Sequence, residues 1–150
     1  MRGKNGVGIL VNNDLRELVV EVKRVNDSLM TIKIVVGGYT LNVVSAYAPQ
    51  VGLNEEVKRS FWEDLDGLVR GIPSTEKLII GGDFNGHIGR LRGGYADVHG
   101  GFSFGDRNGE GTSLLEYAKA FELVIANSCY MKKTEHLITF RSMMAKTRID

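Results

Sequence analysis

Cysteine is almost missing from this chain of 150 residues: there is one, Cys129. A single thiol excludes an internal disulfide and a cysteine-rich zinc site. Ala126, Asn127, Ser128 and Tyr130 around it supply no activating base, so it reads as a buried structural thiol. A dominant charge is missing too. Nineteen Lys and Arg against eighteen Asp and Glu leave +1, so no global basic field advertises nucleic acid, although a local groove can still be basic. No apolar run approaches the ~20 residues of a membrane span, and no membrane partner is expected. Met1-Arg2-Gly3-Lys4-Asn5-Gly6 is basic but is followed by no apolar stretch, unlike a secretory signal. The chain therefore reads as soluble and intracellular. No repeat, low-complexity tract or linker divides it, and one domain is expected.

What is present suits a mixed fold. Hydrophobic residues make up 43% and charged ones 25%, enough for a two-layer core. Residues 7–11, 18–25, 29–36 and 41–47 are rich in Val, Ile, Leu and Tyr, and turn signals separate them at 12–14, 26–28 and 37–38. They read as a meander feeding one sheet. Over residues 54–72 the period changes: Val57, Phe61, Leu65, Leu68, Val69 and Ile72 recur at three and four, as on one face of a helix. Asn54 is its expected N-cap, Glu55 and Glu56 suit its positive end, and Gly71 and Pro73 mark its stop. Trp62 falls on the flank of that helix, padding the core. A second helix is expected over 113–121, with Ser113 and Glu116 as a capping box. Residues 123–126 and 136–140 read as further strands.

The run Leu78-Ile79-Ile80-Gly81-Gly82-Asp83-Phe84-Asn85-Gly86-His87 carries the most chemistry. Three consecutive apolar residues predict a strand covered on both faces. Two glycines then let the backbone turn and approach a ligand closely. Asp83 and Asn85 follow two apart, an oxygen ligand and a hydrogen-bonding amide of the kind a hard divalent cation or a phosphate ester requires. A glycine-dense loop over 89–111 comes next, of a length that is usually functional or mobile. It is not a Walker loop, because no Gly-Lys-Ser/Thr closes it. Earlier, Val43-Val44-Ser45-Ala46-Tyr47-Ala48-Pro49-Gln50 is an apolar strand that Pro49 ends, leaving Tyr47 at the lip of the sheet. Two adjacent strands with such ends would form a phosphate-sized cleft.

Ser45-Ala46-Tyr47-Ala48-Pro49 followed by Gly82-Asp83-Phe84-Asn85 resembles the endonuclease/exonuclease/phosphatase (DNase I-like) superfamily. More narrowly, the chain is similar to endonuclease domains of non-LTR retrotransposons and to craniofacial development protein 2-like proteins. The 81–89 run, the stretch 108–127, and Thr139-Phe140 followed by Arg148-Ile149-Asp150 carry that likeness, which extends from about Gly6 to Asp150. The resemblance implies an α/β fold, part of a four-layer α/β sandwich with mostly antiparallel sheets flanked by helices. It implies a phosphodiesterase that uses Mg2+ or Mn2+ and acts on DNA in the nucleus, leaving a 3′-hydroxyl and a 5′-phosphate. Asp83 then matches the aspartate that orients or deprotonates the attacking water, with a possible metal contact. Asn85 matches the amide that holds the scissile phosphate, and Tyr47 the phenol that donates to it as charge develops. Asp150 matches the aspartate that orients a catalytic histidine further along, and Gln50 a phosphate-contacting amide.

The match is partial. The family's metal-binding glutamate would precede Gly6, and its closing Ser-Asp-His would follow Asp150. His87, His99 and His136 do not replace that histidine. Two alternatives stay open on these residues: a catalytically inactive remnant of such a domain, and a phosphatase of the same superfamily acting on an inositol phosphate or lipid headgroup. Arg90, Arg92, Arg107, Lys132 and Lys133 are candidate phosphate contacts against a default of solvated surface charge.

Overall fold

Gly37 and Gly38 set the first long pairing of the chain. Both have positive φ, 55° and 80°, the requirement of a two-residue type I′ hairpin turn, whose twist matches that of its strands. In the computed structural model they join β2 (Leu29–Val36) to β3 (Tyr39–Tyr47) in an unbroken antiparallel register from Val36 opposite Tyr39 to Leu29 opposite Ala46. β1 (Val19–Arg24) pairs antiparallel with β2 through a bulge between Val19 and Glu21. β4 (Lys77–Asp83) pairs parallel with β3, giving the order β1-β2-β3-β4. The structure describes residues 6–132 and the strand backbones at 138–141 and 146–148. Within it the chain forms two compact units, Met1–Phe84 and Asn85–Asp150. The division falls inside the glycine-rich 81–89 run, where composition does not shift. The fold is α/β.

A parallel neighbour demands a crossover, here α2 (Glu55–Arg70). The Asn54 side chain accepts from Val57 N at 2.9 Å, as its sequence position predicts. Lys58 pairs with Glu55 and Arg70 with Asp66 on the exposed surface, each adding only tenths of a kcal/mol. Gly71 ends the helix at a φ of −74°, so Pro73 rather than a left-handed glycine enforces the stop. Phe61, Leu65 and Val69 form its buried stripe. Leu29, Val44 and Ala46 are buried on the strands.

One cross-strand row shows how the sheet is covered. Val22, Ile32, Val43 and Ile79 lie side by side across the four strands. Ile32 is 3% exposed, whereas Val22 and Ile79 on the two outer strands are 62% and 54% exposed. The central strands are therefore covered and the edges are open. This corrects the reading of Leu78-Ile79-Ile80 as a strand buried on both faces: an apolar run cannot distinguish a central strand from the last one of a sheet. Residues 7–11 form no strand either. They pair with no strand of the sheet, and β-propensity alone does not hold a strand. Asn12 instead caps a single turn, α1 (Asn13–Arg16), accepting from Leu15 N at 3.0 Å.

The second unit is built around α3 (Gly109–Ala120). The expected capping box at Ser113 is not the start; Asn108 caps the helix one turn earlier, and Ser113 Oγ donates to Gly109 O from inside the first turn. Ile88, Val98, Leu115 and Ala118 form the core, with Tyr95, Leu114, Leu123 and Ile125 packed against it. Residues 123–126 make one isolated bridge, Ile125 with His99, not a strand. The chain turns at once into a 3-10 helix (Ala126–Ser128), Ser128 Oγ donating to Ile125 O at 2.7 Å. Cys129 is half-buried rather than buried. Beyond it, β5 (Ile138–Arg141) and β6 (Lys146–Arg148) pair antiparallel. Lys133, His136 and Asp150 lie outside the described residues.

Two features of this scaffold are directly measurable. Glu76 accepts from Asn42 Nδ2 at 2.7 Å and lies 3.3 Å from Lys33 Nζ. The Asn42 hydrogen bond foremost, and then Lys33, hold its carboxyl below the usual 4.5 against the opposing pull of partial burial. That contribution is complete above the unfolded value and disappears as pH falls through the lowered one. Melting curves of wild type and Glu76→Gln therefore differ at neutral pH and converge in acid. The second is the end of α3. Leu123 N bonds Ala118 O and Glu122 N bonds Lys119 O, a Schellman pair that places Glu122 at φ 54°. Because a side chain is disfavoured there, Glu122→Gly raises unfolding stability by ~1 kcal/mol in urea titration.

Candidate functional site

The parallel pairing of β3 and β4 brings their C-terminal ends to one edge of the sheet. Tyr47 stands opposite Asp83 in the register, and Ala48 N donates to Asp83 O at 2.8 Å, extending the ladder one residue further. In α/β sheets the carboxyl ends of parallel strands are where ligands are held. Asp83 is exposed and Tyr47 half-buried.

Gly82 makes this meeting possible. A Cβ there would lie 1.8 Å from Ala46 O, closer than any side chain tolerates. The adjoining Gly81 has nothing within 4 Å of such a Cβ. Of the two glycines in the motif, one is a steric necessity and the other is not. Phe84 then anchors the strand end: its ring stacks on Trp62 with centroids 6.0 Å apart and meets Phe61 edge-on at 6.4 Å. Trp62 is half-buried, and its place on the core flank agrees with the sequence reading.

Gln50 is exposed on the connection from β3 to α2, its carbonyl accepting from Leu53 N at 3.0 Å. Asn85 opens the second unit, half-buried, with a left-handed φ of 49°. His87 is exposed. The structure thus brings the strand positions of Tyr47 and Asp83 together, while Gln50 and Asn85 follow them by three and two residues in the sequence. Asp150 lies outside the described residues.

The glycine-dense loop is held by side chains that bond backbone carbonyls. Arg107 Nε donates to Ile88 O at 3.0 Å and its Nη2 to Leu91 O, with the guanidinium 4.9 Å from the Tyr95 ring. Arg92 donates to Gly100 O at 2.6 Å. His99, buried, bridges Gly89 O at 2.7 Å through Nε2 and accepts from Gly101 N at Nδ1. Among the candidate phosphate contacts, Arg92 and Arg107 therefore serve the loop itself. Asn108, which tethers His87 N at 2.9 Å, was missed as a site-building residue. The signal was available, since asparagine just before Gly-Glu-Gly is a strong N-cap.

Among the described residues no group of three or more His, Cys, Asp or Glu comes together as a metal centre. The two strand ends supply one carboxylate, Asp83, and one phenol, Tyr47, both hard oxygen donors. Mg2+ is commonly bound by one or two carboxylates together with substrate phosphates and water, so this donor set fits it in that mode.

No protein-family model matches the chain. It is similar to Craniofacial development protein 2. The Bos taurus protein is 29% identical over 139 residues, 93% of this chain, and the Tragulus javanicus protein 27% over the same length. The chain spans about a quarter of these relatives, 23% and 24% of their lengths. The similarity therefore covers both units of this chain but only a segment of each relative.

The steric role of Gly82 has a sharp test. Gly82→Ala costs about 3 kcal/mol or more, since backbone on both strands must move. Gly81→Ala stays within about 0.5 kcal/mol of wild type. Denaturant unfolding of the two variants measures the contrast.

Proposed function

We propose that this chain carries part of a metal-dependent phosphodiesterase site acting on DNA, within a domain of the DNase I-like, four-layer type. The observation that carries the reading is the register of Tyr47 against Asp83 at the shared end of a parallel strand pair. A phosphate bound there meets a hydroxyl donor from one strand and a carboxylate from the next. The Ser-Ala-Tyr-Ala-Pro and Gly-Asp-Phe-Asn motifs, and the likeness to Craniofacial development protein 2 along nearly the whole chain, support it.

The roles follow from the chemistry of each group. Asp83, exposed to water, orients a water molecule and takes up its proton as the oxygen attacks phosphorus. Tyr47 donates its phenolic proton in a hydrogen bond to a nonbridging phosphate oxygen, an interaction that strengthens as negative charge builds. Asn85 and Gln50 contribute amide donors that hold the phosphodiester. Asp83 would also hold Mg2+ or Mn2+, which when bound neutralises charge on the phosphate and the departing oxygen.

A second reading has its own support: Asp83 is the one carboxylate that the two strand ends supply. The chain then binds DNA phosphates without cleaving them. Incubation of supercoiled plasmid with the chain and Mg2+ separates the readings. The phosphodiesterase nicks the plasmid, Asp83→Ala lowers the rate by ~10²–10⁴-fold, and Tyr47→Phe lowers it by ~10²-fold. Retention of plasmid without metal-dependent nicking establishes the binding reading. Hydrolysis of a phosphoinositide in preference to plasmid would move the substrate to a small phosphate ester.

A further inference from the structure

The segment that leaves β4 lies backbone to backbone on the first turn of α3, and the Asn108 side chain ties the two together. Asn108 Oδ1 accepts from His87 N at 2.9 Å and from Gly111 N at 2.8 Å. Asn108 N donates to His87 O at 3.1 Å. Both backbone groups of His87 therefore end on Asn108, and the same oxygen that caps the helix ties down the loop.

The contact has no slack. A Cβ on Gly86 would stand 2.7 Å from Gly111 N and 2.8 Å from Glu110 C, and one on Gly111 would stand 1.9 Å from His87 O. Asn85, directly before this clamp, has a φ of 49°. That left-handed conformation is uncommon outside glycine and persists where the surroundings over-determine it. The fixed backbone of Gly86 and His87 is such a surrounding.

We propose that Asn108 is a positioning residue that holds Asn85 in its left-handed conformation through the clamped backbone of Gly86 and His87. It thereby sets the direction in which the Asn85 amide is offered to substrate. The clamp is a property of the fold; the amide's use rests on the phosphodiesterase reading.

Two substitutions separate the loop clamp from the helix cap. Asn108→Asp keeps an acceptor oxygen at the same reach. Asn108→Ser keeps a capping hydroxyl but is too short to hold His87 N as well. Amide hydrogen exchange and NMR resonances in the full chain give the readout. The His87 amide is protected in wild type and in Asn108→Asp. In Asn108→Ser it exchanges about tenfold faster or more, and the Asn85 resonances shift, while the melting temperature stays close to wild type. An unprotected His87 amide in wild type overturns the proposal, whether or not the serine variant folds. So does a serine variant with unchanged His87 exchange and unchanged Asn85 resonances, or an aspartate variant that loses both. Addition of a short DNA duplex with Mg2+ then tests the other reading separately. Shifts at Tyr47, Asp83 and Asn85 support it, and their absence overturns the phosphodiesterase reading while the exchange data still decide the clamp.

Discussion

The parallel contact between β3 and β4 is the constraint on which the candidate site depends. A parallel pair cannot be closed by a tight turn, so the chain must leave the sheet, build α2 and return. Return in register then puts Asp83 opposite Tyr47, two residues thirty-six positions apart in the sequence. The approach is so close at Gly82 that no side chain fits beneath it. Phe84, pinned by Trp62 and Phe61, ends the strand and fixes where the chain leaves it. Packing, crossover and steric closeness act together at one sheet edge.

The two units reach order by different means. The first rests on strand ladders and a buried helical stripe. In the second, a long glycine-rich segment has few ladder bonds, and side chains take their place: His99, Arg92, Arg107 and Asn108 all bond to backbone groups. Among the described residues no buried side-chain polar atom lacks a partner. Satisfying carbonyls this way lets a loop without regular structure lie against a small core of Ile88, Val98, Leu115 and Ala118. It also gives two of its arginines, Arg92 and Arg107, a role in holding the loop rather than in contacting DNA.

For function, the structure supplies the geometry and the motifs supply the chemistry. Tyr47 and Asp83 stand opposite each other because of strand register, and the proposed phosphate site uses that pairing of a hydroxyl donor with a carboxylate. The likeness to Craniofacial development protein 2 covers 93% of this chain, so both strand ends and the clamped segment after them fall within shared sequence. The phosphodiesterase reading brings these facts under one account.

Local chemistry determined much of this protein before any tertiary contact is considered. The glycine pair at 37–38 specifies its hairpin because only glycine adopts positive φ twice in succession at little cost. Asn54 with its following glutamates specifies the start of α2, and the period of Phe61, Leu65 and Val69 specifies its buried face. The motif around Asp83 was legible as an oxygen-rich strand end for the same reason: residue type and spacing act over a few residues. Pairing partners are not local. That residues 7–11 stay out of the sheet, that Ile79 lies on an edge, and that residues 123–126 form one bridge all depend on which strands arrive alongside. The helix start moved from Ser113 to Asn108 because that asparagine satisfies His87 and Gly111 together. Only the tertiary structure could place Tyr47 against Asp83, since register across a crossover is decided by how the helix packs and by the absence of a Cβ at Gly82.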